Sequence, residues 1–130
     1  ALTSIACQGK IDEAGPLYRR SLDIRERTLG PDHPDVARWS HNLAELLKSQ
    51  RKYDEAGPLY RRSLDIAEKI YGPDHPKVAP TLNYLAELLK AQHKYDEAGQ
   101  LYRRSLDIRE RALGPNHPDV ARTINYLAEL

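Results

Sequence analysis

The chain contains no methionine and only one cysteine, Cys7. A lone thiol has no internal partner, so no disulfide frame is expected. That fits a reducing compartment and an expected cytoplasmic location. Charge of one sign is not in excess either: 20 basic side chains stand against 19 acidic ones, a formal net charge of +1. A dedicated nucleic-acid binder gathers a basic surplus on one face, so no nucleic-acid partner is expected. No apolar run approaches the roughly 18 residues that cross a bilayer, and no signal or lipidation motif is visible, so no membrane partner is expected. Gly-rich phosphate loops, nucleophile elbows and zinc-binding helix motifs are also missing. No enzyme activity and no cofactor is therefore expected of this segment. Without methionine the sequence does not open on a start codon, and Leu130 falls inside an apolar helical pattern with no stop signal. Both ends are expected to be cuts from something longer.

What the sequence does have is repetition. Gly30-Pro31-Asp32-His33-Pro34 returns at Gly72 and, with Asn116 for Asp, at Gly114, an interval of 42 residues. Asp12-Glu13-Ala14-Gly15 recurs at Asp54 and Asp96, and Tyr18-Arg19-Arg20-Ser21-Leu22-Asp23-Ile24 at Tyr60 and Tyr102. A fixed period of this length is the mark of stacked supersecondary units. Each unit reads as two helices. Val78, Leu82, Leu85, Ala86 and Leu89 fall at spacings of three and four, one face of a first helix. Ala56, Leu59, Tyr60, Ser63, Ala67 and Ile70 predict a similar stripe on the second. Pro76 suits a first helical position, Asp54 and Glu55 oppose the positive end of the helix dipole, and Gly72 with Pro73 ends the helix. The short link from Gln50 to Tyr53 makes the paired helices antiparallel. Gly57-Pro58 removes a donor near the start of the second helix and is expected to loosen its first turn.

The spacing of Leu85-Ala86, Ala98, Tyr102 and Ser105 resembles the tetratricopeptide signature, in which small residues let two helices approach and an aromatic fills the gap. The usual unit has 34 residues. The 42-residue form, carried by Lys94-Tyr95-Asp96-Glu97-Ala98 and Arg109-Glu110-Arg111-Ala112-Leu113-Gly114, is similar to the repeats of kinesin light chains. It also resembles those of nephrocystin-like and nucleotide-binding adaptor proteins. This resemblance implies an all-α, right-handed superhelical solenoid of antiparallel hairpins, whose first helices line a concave groove for peptides. On that reading residues 1–29 are a partial first hairpin, with a second helix starting at Lys10 or Ile11 after a remnant from Ala1 to Gln8. Hairpins follow at 35–71 and 77–113, then an unpaired first helix at 119–130.

Because the units are so alike, their differences are informative. Arg38-Trp39-Ser40-His41-Asn42 corresponds to Pro80-Thr81-Leu82-Asn83-Tyr84 and to Arg122-Thr123-Ile124-Asn125-Tyr126, whereas Leu-Ala-Glu-Leu from 43, 85 and 127 is constant. Positions three or four apart share a helix face. Arg38, His41, Asn42, Glu45 and Lys48 form one such face, and Asn83, Tyr84, Glu87 and Lys90 the next. Arg122, Asn125, Tyr126 and Glu129 form the third. The resemblance assigns this face to the groove, where Tyr, Asn and Arg are the anchors interfaces favour; the plainer alternative is a solvated face, with Trp39 or Ser40 turned to the neighbouring hairpin. The Lys and Asn carboxylate clamp of some tetratricopeptide domains is absent. Kinesin light chains accept acidic peptides bearing tryptophan, but the repeated glutamates count against a strongly acidic ligand. The expected partner is a protein or peptide of mixed charge with one apolar anchor. The alternative role is a structural spacer or a scaffold that self-associates end to end. A third, the regulatory half of a nucleotide-binding switch protein, follows from analogy alone.

Other clusters have structural readings. His33, His75 and His117 recur once per unit in proline-flanked turns. Successive repeats lie about 10 Å apart, far beyond the roughly 2 Å of zinc ligation, so they are expected to close turns rather than hold a metal. Adjacent Asp-Glu pairs do not face each other on a helix. The Arg pairs at 19–20, 61–62 and 103–104 are expected on a solvated, salt-bridged convex face. Cys7 has no neighbouring base to activate it and is expected to be buried or incidental.

Overall fold

Every period is punctuated by the same two devices. Gly30, Gly72 and Gly114 take φ of 93°, 91° and 88°, the left-handed region where a Cβ is penalised. Their amides donate back to the carbonyls of Glu26, Glu68 and Glu110 at 3.1, 2.8 and 2.9 Å, which ends a helix. Three residues later a histidine starts the next one. Nδ1 of His33, His75 and His117 accepts the backbone N–H of Asp35, Lys77 and Asp119 at 3.0, 3.1 and 3.1 Å. The first amides of a helix have no partner inside it, and here an imidazole nitrogen takes the place usually filled by a Ser or Asp oxygen.

The computed structural model describes residues 2–130, with side chains from Glu13 onward; Ala1, and the expectation for the thiol of Cys7, lie outside what is described. Six α-helices follow in order: α1 (Leu2–Leu29), α2 (Pro34–Ser49), α3 (Tyr53–Tyr71), α4 (Ala79–Ala91), α5 (Tyr95–Leu113) and α6 (Pro118–Ala128). A 3-10 turn, Pro76–Val78, precedes α4, and the described residues contain no strand. The fold is all-α. The links inside the hairpins use Arg51 and His93 at φ 61° and 62°. There the amides of Lys52 and Lys94 return to the carbonyls of Leu47 and Leu89, both at 2.8 Å, capping α2 and α4.

Four local details differ from the sequence reading. Residues Leu2–Leu29 run as one helix, where a break between Gln8 and Lys10 was expected. A remnant of that length is too short to be stable as a separate helix, and continuation satisfies its backbone groups. Helix α3 passes through Pro58 without interruption. The first helix of the 77–113 hairpin starts late, as a 3-10 turn in which the Ala79 amide donates to the Pro76 carbonyl. Pro80 stands where the other units have Arg38 and Arg122, and its missing N–H removes a bond that would close the first α turn. Finally, Ile70 is 41% exposed while Ile66 is 2% exposed, so the buried stripe of α3 ends a turn before its terminal glycine.

The chain forms two compact units, residues 1–63 and 64–130. In the first, α1 packs on α2 around Leu22, Val36, Leu43, Ala44 and Leu47, all buried. Trp39 faces α1, with the Tyr18 ring 5.8 Å away and the Arg25 guanidinium 4.5 Å above its own ring. In the second, α4 packs on α5 and α5 on α6. Val78, Leu82, Leu85, Ala86, Leu88 and Val120 are fully buried there, each worth about 1.5–3 kcal/mol for the larger side chains. Small residues allow the close approach: Ser105 Oγ donates to the Ala79 carbonyl at 3.4 Å. The second arginine of each of the two later pairs finds its anion one repeat back rather than nearby in sequence. Arg62 pairs with Glu26, and Arg104 with Glu68 at 3.1 Å while also donating to the Pro73 carbonyl at 2.8 Å.

Candidate partner-binding cleft

Helical spacing places Asn83, Tyr84, Glu87 and Lys90 along one side of α4. With Pro80 they form one wall of a cleft of about 300 Å³ in the second unit. Tyr102 and Arg109 of α5 and Arg122, Tyr126 and Glu129 at the C-terminal end complete the lining. Seven residues expected on the varying face therefore meet here: Asn83, Tyr84, Glu87, Lys90, Arg122, Tyr126 and Glu129. Asn125, exposed on α6, is outside the lining.

Tyr102 and Arg109 were not anticipated as site residues, because both lie on the second helix. Tyr102 was read as the spacer between helices, and at 3% exposure it is one. Its ring also stacks on Tyr126, with centroids 5.6 Å apart and planes inclined by 28°, which makes it part of the cleft floor. Burial raises the Tyr102 pKa to about 12, with Glu87, Tyr126 and Glu129 adding to the rise. The hydroxyl is therefore a neutral donor over the whole physiological range. The signal that could have revealed it is the alignment of Glu87 with Glu45, since Glu45 accepts a hydrogen bond from Tyr60, the repeat equivalent of Tyr102.

Two rings remain open to solvent, Tyr84 at 39% and Tyr126 at 36% exposure. Lys90, Arg109 and Arg122 supply positive charge around them, and Glu87 and Glu129 negative charge. Arg122 lies 3.6 Å from Asp119 on its own helix. The side-chain carbonyl of Asn83 is buried with no hydrogen-bond partner, a state that costs about 1–3 kcal/mol unless a donor arrives.

The five α2 residues belong to the first unit and are arranged differently. Arg38 is exposed, its guanidinium 5.9 Å from the centre of the Trp39 ring. His41 is half-buried and meets the Tyr60 ring edge-on at 5.6 Å. Burial lowers the His41 pKa from 6.5, and Glu45 partly opposes this. Glu45 itself is engaged by the Tyr60 hydroxyl. Asn42 and Lys48 are half-buried. Among the described residues no group of three or more His, Cys, Asp or Glu side chains is placed to hold a metal ion, and no helix is long and apolar enough to cross a membrane.

The family model described as tetratricopeptide repeat matches residues 3–56, 36–98 and 77–130. Among solved structures, BtubC (BKLC) from P. vanneervenii is 28% identical with a TM-score of 0.83, over 93% of this chain and 48% of that one. A putative kinesin light chain from Podosopora anserina with nearly identical TPR-like repeats is 25% identical with a TM-score of 0.82, over 94% and 58% respectively. The chain thus spans only 48% and 58% of the length of these two structures. No curated protein matches it.

Proposed function

Because the chain belongs to the tetratricopeptide repeat family, whose members are in general protein-protein interaction modules, we propose that the cleft between α4, α5 and α6 receives a peptide segment of a protein partner. The observation that carries the proposal is the convergence of Tyr84, Tyr126, Asn83 and three cations on one concavity. Exposed tyrosines at a cleft rim give a large contact area for little entropy. The unpaired Asn83 carbonyl calls for a donor, and a peptide N–H supplies one. Three cations against two carboxylates favour a ligand of mixed charge with one apolar or aromatic anchor seated between the tyrosines. A hollow of about 420 Å³ in the first unit, near Gly15, Arg19 and Lys52, has no aromatic lining and fits this role less well.

The test is selection of peptides from a displayed random library on the 130-residue chain, followed by titration of the winners. Combined Asn83→Ala and Tyr84→Ala should weaken binding at least tenfold, since hot-spot truncations cost about 2 kcal/mol or more, and leave helicity intact. Equal affinity for the double variant would put the binding site elsewhere. The alternative of a self-associating scaffold draws on different residues, at exposed helix faces away from this cleft.

A further inference from the structure

Charge is unevenly distributed along the cleft between α4, α5 and α6. Short turns join these helices and α5 packs on both neighbours, so α5 runs antiparallel to the other two. Arg109 follows Tyr102 on α5 by about 10 Å of helix rise, toward the Pro80 start of α4. Arg122 is the α6 equivalent of Pro80, so two of the three lining cations gather at that end. Arg122 is partly answered by Asp119, 3.6 Å away.

The opposite end is built from one pair used twice. Tyr84 and Glu87 on α4 match Tyr126 and Glu129 on α6 and its cap, and a spacing of three residues puts each carboxylate on the face of its own tyrosine. All four side chains line the cleft and all are exposed. Against the two carboxylates stands Lys90, one turn past Glu87. At the Tyr102 hydroxyl negative charge prevails: after burial, Glu87, Tyr126 and Glu129 raise its pKa to about 12. In the first unit the equivalent pair is Asn42 and Glu45, which offers no ring, and Glu45 is engaged by the Tyr60 hydroxyl.

A carboxylate beside an open aromatic face is a setting that holds a cationic side chain. A guanidinium directs paired N–H donors at the carboxylate and lies against the ring. Its planar fork does both at once, which a lysine ammonium does less well. We propose that the Glu87–Glu129 end of the cleft is a subsite for a basic side chain of the partner peptide, arginine in preference to lysine. This subsite rests on the reading of the cleft as a peptide site. The Asn83 carbonyl, one turn before Glu87, takes a backbone amide, and the Arg109–Arg122 end receives the ligand's acidic group. A segment of mixed charge is thereby read in one orientation.

The probes are peptides selected from the displayed library on the 130-residue chain and kept only if Asn83→Ala with Tyr84→Ala weakens them. These should share an arginine or lysine. Exchanging it for citrulline or acetyl-lysine, which removes the charge, should weaken binding about tenfold. Glu87→Gln with Glu129→Gln should weaken the basic peptide about tenfold and leave the uncharged one within about twofold, with circular dichroism unchanged. Glu129→Gln alone should show the same selectivity, to a smaller extent, should the double variant fail to fold. Cleft-dependent peptides with no shared basic residue would overturn the subsite and leave the cleft reading standing. Equal losses for both peptides in the glutamine variants would do the same. A library yielding no peptide sensitive to Asn83 and Tyr84 would overturn both.

Discussion

Replacing Tyr102 by phenylalanine isolates one hydroxyl while keeping the ring that stacks on Tyr126. In the folded protein the Tyr102 pKa is raised from 10.0 to about 12, chiefly by burial and then by Glu87, Tyr126 and Glu129. Below pH 10 the group is neutral in both the folded and the unfolded chain, and its contribution is fully present. Between pH 10 and 12 the unfolded chain gives up the proton while the folded chain keeps it, so stability falls as pH rises. Above 12 the loss is complete. At about 1.4 kcal/mol per pH unit, a rise from 10.0 to about 12 is worth on the order of 2–3 kcal/mol, a sizeable share of a typical total of about 5–15 kcal/mol. The assay is urea unfolding of both proteins by circular dichroism, from pH 8 upward at half-unit steps. All other side chains are common to both proteins, so their contributions cancel in the difference. At neutral pH, where the hydroxyl is neutral in both states, the two proteins should differ little. The unmodified chain should then lose stability relative to the variant as the pH passes 10. Parallel curves for the two proteins throughout the alkaline range would refute the account of a buried hydroxyl surrounded by carboxylates.

Two further substitutions test the first unit and the turns. His41 has its pKa lowered by burial, so its contribution is present above 6.5 and is lost as pH falls from there through the folded value. His41→Asn, which installs the side chain of the equivalent positions 83 and 125, should remove that acid-induced loss of stability; an unchanged acid limb in urea titrations would count against it. Gly114 sits at φ 88° and ψ 162° with no atom within 4 Å of where a Cβ would stand. Gly114→Ala should therefore cost about 1–3 kcal/mol from backbone strain alone, and a measured cost below about 0.5 kcal/mol would contradict the turn described.

The helices and turns were legible because each period repeats the same punctuation. Gly72 and Pro73 stop α3, and His75 with Pro76 opens the next helix whatever lies between. Seven of the cleft residues were placed on one face for a related reason: Asn83, Tyr84, Arg122 and Tyr126 lie in the stretch that varies between units, and helical spacing puts the constant Glu87, Lys90 and Glu129 on the same side. Tyr102 was not legible, because a second-helix residue that is invariant in the sequence reads as packing, and only the approach of α6 turns it into a floor. Arg109, whose equivalents are Arg25 and Ala67, was missed because the comparison of units was confined to the first helices. Pro80 disturbed the start of α4 through a missing amide, an effect that stripe patterns do not register. The partners of Arg62 and Arg104 were hidden as well. Both ion pairs span 36 residues, whereas charge patterns along one helix reveal only partners a turn away.

Those two ion pairs have a consequence for how the chain reaches its fold. Each fastens a helix to a segment made less than one period earlier, as do the Arg104 bond to Pro73 and the Ser105 bond to Ala79. Loops of that size close at modest entropic cost, and short sequence separation goes with fast folding. A nascent polypeptide emerging from its ribosome could therefore lock each period as it appears, without waiting for any distant portion of itself.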